Sequence, residues 1–85
     1  MKKLNECIKI TADCLEKARV KDEEGKLLLK WASDYYKDAL YYSMKEPETA
    51  LEAVSYAHGF IDSGVLLGHI EIPKYHLKKE TKGFK

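Results

Sequence analysis

His58, Asp62 and His69 are the residues of this chain whose types and spacing come nearest to a reactive or metal-binding set. His58 and Asp62 are four residues apart, so a helix places them on one face, and His69 falls seven beyond Asp62 near the same line. Imidazole and carboxylate are acceptable ligands for a divalent cation. Helical metal motifs add a further carboxylate or an adjacent catalytic Glu, as in H-E-x-x-H, and the neighbours of His58 supply neither. The simpler reading is structural: His58 sits at the edge of the core, its ring hydrogen-bonded to Asp62 or to a backbone carbonyl, which fixes one tautomer.

Other reactive side chains point to no reaction. Asp34 and Asp38 form an i, i+4 pair beside Lys30 and Lys37, which reads as a solvated charged face. A carboxylate pair used as acid and base needs dissimilar, partly buried surroundings. Cys7 and Cys14, seven residues apart on one helical stripe, lie about 10 Å apart, too far for an intrachain bridge. They read as reduced thiols packed as small apolar groups, which implies a cytoplasmic protein. A helical ribonuclease of the HEPN type needs Arg followed four to six residues later by His, but the only arginine, Arg19, lies 39 residues before His58. A phosphate loop, a zinc-ligand cysteine set and a nucleophile elbow are equally missing. No catalytic residue, metal or cofactor is assigned.

Charge and aromatics suggest partners instead. The sequence of 85 residues has a net charge of +1, without the basic excess that drives phosphate binding. Residues 69–85 nevertheless carry five Lys against two Glu. Lys74, Lys78, Lys79, Lys82 and Lys85 could therefore form a nucleic-acid-contacting arm. Exposed tyrosines and leucines are the alternative contact points. In the doublets Tyr35-Tyr36 and Tyr41-Tyr42, neighbours point about 100° apart on a helix, so Tyr35 and Tyr42 read as core and Tyr41 as exposed. Tyr41, Phe60, Leu66 and Leu67 are the candidate partner-binding residues, with Leu27 a further apolar side chain on a polar face.

The elements that must position these side chains are helices, because the chain has only two Pro and no Gly before position 25. Leu4, Cys7, Ile8, Thr11, Cys14, Leu15 and Ala18 recur at i, i+3, i+4, i+7 spacing and predict a first helix over 3–19 with an apolar arc of about 160°. A second, over 24–45, carries Leu28, Trp31, Ala32, Tyr35, Ala39 and Tyr42 on one side, with Leu29, Tyr36 and Leu40 widening the arc to about 180°. It opens either at Asp22, a suitable N-cap, or just after Gly25. Pro47 suits the first position of a third helix, over 47–68, which makes helices two and three an antiparallel hairpin. The third has an apolar or small arc of about 200°, wide enough to be sandwiched between its own neighbours or against another chain. Its Ala53, Ala57, Gly64 and Gly68 read as a stripe admitting a closely packed helix. Gly59 and Gly64 also leave room for a hinge or a ligand.

The run Tyr-Ala-His-Gly-Phe-Ile-Asp-Ser-Gly from Tyr56 to Gly64, with the hairpin before it, resembles a small archaeal family, domain-of-unknown-function family 357, over residues 34–73. The resemblance implies a small all-helical bundle and no activity. The chain thus reads as an all-α three-helix bundle of residues 1–73 with a short non-helical C-terminal tail, 74–85 being basic and flexible. Ile70, Ile72 and Tyr75 are expected to dock on the bundle. The N-terminus is too interrupted by Asn5, Glu6 and Lys9 for a signal peptide, and no apolar run spans a bilayer. The functional expectation is a non-enzymatic protein-interaction or oligomerisation module, first of all a homodimer. A nucleic-acid accessory protein is the alternative, and a metal-dependent activity at His58, Asp62 and His69 the third reading.

Overall fold

A computed structural model describes residues 2–75 of the chain. Three helices, α1 (Lys2–Lys17), α2 (Glu23–Tyr42) and α3 (Pro47–Leu66), form an all-α bundle. α2 and α3, each of 20 residues, make an antiparallel hairpin, and α1 packs across it, chiefly on α3. α3 is therefore held between two helices of its own chain. Two short strands, β1 (Arg19–Val20) and β2 (Ile70–Glu71), pair antiparallel, Arg19 opposite Glu71 and Val20 opposite Ile70.

Local chemistry sets the helix ends. Asp22 caps α2: its Oδ1 accepts from the Gly25 N–H at 2.9 Å, and Glu23 and Glu24 occupy the positive first turn. α2 stops at Tyr42, three residues short of the sequence expectation, because Ser43 already begins the reversal; its N–H and hydroxyl both donate to the Leu40 carbonyl. Pro47 then opens α3 at a position where its missing N–H leaves nothing unpaired. α3 ends at Leu66 rather than at residue 68. Gly68 takes φ +81°, its N–H donates to the Val65 carbonyl, and the His69 N–H donates to the Gly64 carbonyl at 2.8 Å. That pair of bonds is a Schellman stop, whose left-handed residue is strained for any side chain but glycine. α1 ends two residues early because Arg19 and Val20 extend to pair with β2.

Apolar contacts gather in two halves along the hairpin. Near the loop, Leu4, Ala39, Ala50, Ala53 and Val54 are buried together. At the opposite end Cys14, Ala32, Ala57, Ile61, Ile70 and Ile72 form the second cluster, with Tyr75 packed against it. Ile70, Ile72 and Tyr75 thus dock as expected. The docked strap is more ordered than a plain tail: β2 pairs with β1, and the Lys21 N–H donates to the His69 carbonyl at 2.9 Å.

The sequence reading of the small-residue stripe needs correction. Ala53 and Ala57 are buried in the bundle, but Gly64 faces the strap: a Cβ there would lie 2.3 Å from Ile70 Cδ1. Gly68 serves as the helix stop rather than as a contact. Trp31, Tyr35 and Leu40, read from the sequence as part of the apolar side of α2, are exposed, Leu40 to 46%. Three helices of this length cannot cover a 180° arc on α2, so Gly25, Ala32 and Ala39 fill the contact and the larger rings flank it.

Gly64→Ala should lower stability by about 1 kcal/mol or more net, since overpacking against Ile70 outweighs the helix propensity gained. Gly59→Ala should instead raise it by about 0.5–1 kcal/mol, because a Cβ at position 59 meets nothing within 4 Å. Urea midpoints of the two variants at unchanged m-value provide the comparison.

Candidate functional site

His58 and Asp62, one turn apart on α3, meet Tyr75 at the end of the strap. The Tyr75 hydroxyl donates to Asp62 Oδ1 and lies 3.5 Å from His58 Nε2. On the other side of the ring, the hydroxyl of Thr11, a buried residue of α1, is 3.5 Å from Nδ1. One neutral tautomer satisfies the whole set: Thr11 donates to Nδ1, Nε2–H points toward the Tyr75 oxygen, and Tyr75 donates to the carboxylate. Burial, then the Asp62 hydrogen bond and charge, push the Tyr75 phenol well above its ordinary range, which keeps it a donor. A type II turn delivers Tyr75, with Pro73 and then Lys74 at φ 60°, and the Tyr75 N–H closing on the Ile72 carbonyl. Cys14 is buried nearby, and desolvation, reinforced by Asp13 and Asp62, pushes its thiol up, away from the reactive thiolate. The groups satisfy one another, so this cluster ties α1, α3 and the strap together.

His69 does not join that cluster. Its Nδ1–H donates to Asp22 Oδ2 at 2.8 Å, linking the end of α3 to the start of α2. The proposed set of His58, Asp62 and His69 is thus split between two ties, each with its own partners. Asp22, Glu24 and His69 present ligand atoms within 4.8 Å of one another, the one such group among the described residues. Both Asp22 oxygens are already engaged, and the positive N-terminus of α2 opposes a cation there. The arrangement works as a clamp. Hydrogen bonds from His69 and from the Gly25 N–H hold the Asp22 carboxyl below its usual value.

The outer side of the hairpin carries a third arrangement. Trp31 and Phe60 meet edge to face at 5.5 Å between ring centroids, Tyr35 stacks on Phe60 at 5.7 Å, and Tyr35 meets Tyr56 at 5.4 Å. This row crosses from α2 to α3 in contact with solvent: Trp31 is 44%, Tyr35 37% and Tyr56 61% exposed. Two hollows flank it. One, of about 430 Å³, lies among Trp31, Asp34, Tyr35, Asp38 and Phe60. The other, of about 700 Å³, runs along α3 past Glu52, Tyr56, Gly59 and Ser63.

Of the sequence-derived contact residues, Phe60 lies in this row. Leu66 and Leu67 are exposed at the end of α3. Tyr41 is exposed near the hairpin loop, packed edge to face on Tyr42 with Lys45 Nζ 4.1 Å from its ring centroid. Lys74 is exposed in the strap turn, and Lys78, Lys79, Lys82 and Lys85 lie outside the described residues. Trp31, Tyr35 and Tyr56 were missed as surface residues. Their i, i+4 spacing with Leu27 and Phe60 was the available signal, but it equally describes a buried stripe.

A three-helix bundle stapled by a two-residue strand pair, with its aromatic rings turned outward, defines a helical domain. The chain belongs to the family described as Protein of unknown function (DUF357), which matches residues 4–70. That span takes in α2, α3 and all but the first two residues of α1, both sides of the Asp22–His69 clamp and the aromatic row, and stops short of Tyr75. No curated protein and no solved structure matches the chain significantly.

Because the folded Asp22 carboxyl is depressed, the clamp stabilises the fold above the ordinary carboxyl range near ~3.9 and is lost as pH falls through the folded value. Asp22→Asn keeps an acceptor for Gly25 and removes the titrating group. Urea midpoints followed from pH ~6 to ~2 should therefore fall less steeply in this variant than in the wild type.

Proposed function

We propose that the chain is a non-enzymatic protein-interaction module whose contact surface is the aromatic face of α2 and α3. The observation that carries this reading is the row Trp31, Phe60, Tyr35 and Tyr56, in mutual ring contact and open to solvent. Contiguous exposed apolar surface of this kind marks contact sites on small domains, and large rigid rings lose little entropy on binding. The polar clusters support the same reading. His58, Asp62 and Tyr75 spend their hydrogen bonds on one another, and Cys14 is held as a protonated thiol. Self-association into a dimer is the alternative assembly through this face.

The folded protein should bind the uncharged fluorescent apolar probe Nile red at about one site and quench Trp31 as it does so. Trp31→Ser with Tyr56→Ser should reduce the enhancement several-fold with unchanged helical circular dichroism. A folded wild type that leaves the probe dark would remove this reading.

A further inference from the structure

We infer that the occupant of the aromatic face is a cationic amphipathic helix of another protein, with apolar side chains on the rings and Lys or Arg along its flank. This rests on the interaction reading above and adds the partner's chemistry. The charges that line the two hollows are Asp34, Asp38 and Glu52, and no Lys or Arg lines either of them. Asp34 is partly offset by Lys30 Nζ at 3.0 Å, but among the described residues neither Asp38 nor Glu52 forms an ion pair. Aromatic ring faces themselves attract ammonium and guanidinium groups, so the rings and the carboxylates around them favour the same sign of partner.

Shape points to a helix. The longer hollow follows α3 from Leu51 to Ser63, about three turns, and its centre is open because Gly59 presents no side chain. A large apolar side chain can lie on this shallow surface against Tyr56 and Phe60, the contact an amphipathic helix makes with its apolar face. The other occupants fit less well. Two copies paired face to face would bring Asp34, Asp38 and Glu52 of both chains into one interface that supplies no cation from its own lining, and like charges so placed oppose association. Nucleic acid would set phosphates against the same three carboxylates.

The test uses the full chain and two synthetic 18-residue helical peptides with identical leucine faces, one carrying Lys on its polar face and the other Glu. Trp31 is the single tryptophan and packs on Phe60, which lines both hollows, so its emission reports occupancy of the face. The Lys peptide should bind at least about tenfold more tightly than the Glu peptide and weaken several-fold between ~50 and ~300 mM salt. Asp38→Lys with Glu52→Lys should abolish or reverse that preference. Glu6→Lys with Glu16→Lys, an equal charge change on exposed positions of α1, should leave it within about twofold. Equal binding of both peptides, no binding of either, or an equal response to the α1 variant would overturn the inference. A wild-type dimer in light scattering that Tyr56→Ser dissolves would also overturn it, yet would leave the interaction reading standing. Absence of the Nile red site would instead remove the interaction reading itself.

Discussion

The fold depends on the docking of the segment after α3 against the start of α2. A Cβ at Gly25 would lie 2.1 Å from the His69 carbonyl oxygen, so at this point two stretches of backbone touch where no side chain fits. Around that contact the Lys21 N–H and the His69 side chain add hydrogen bonds, and Ile70 enters the space left by Gly64. Backbone, unlike a flexible side chain, cannot move aside cheaply, so this contact fixes where the hairpin's open end closes. Everything downstream follows from it: β2 meets β1, Ile72 reaches the core, and Tyr75 arrives over Asp62.

Helices α1 to α3 were legible because periodicity and caps are local. Asp22 with two following glutamates, and Pro47 after a short polar connection, announce helix starts without knowledge of anything distant. The strap contact was not legible in the same way. Gly25 looked like a choice of helix start and Gly64 like a site for a neighbouring helix, since a glycine states that something is close without saying what. The pairing of Arg19–Val20 with Ile70–Glu71 joins segments fifty residues apart and is too short to show alternation.

The candidate site divided along the same line. Wheel geometry correctly placed His58 beside Asp62, because both sit on one helix. It then extended that line to His69, which lies past the helix stop, where the Schellman turn redirects the chain toward Asp22. On α2 the wheel gave the direction of Trp31 and Tyr35 but not how far the neighbouring helices reach around it. An amphipathic pattern shows which side is apolar. How much of that side is covered depends on the number and width of the other elements, and here two helices and a strap leave the rings at the margin.

The two arms of the hairpin are equal, 20 residues each, so each is about 30 Å long and their far ends lie level. That equality has a genetic consequence. One inserted codon within either arm would turn everything beyond it by about 100° and shift it by ~1.5 Å, carrying His69 off Gly25. Length variation among relatives should therefore collect in the turn between the arms, around the 91%-exposed Met44, where added residues leave both faces in register.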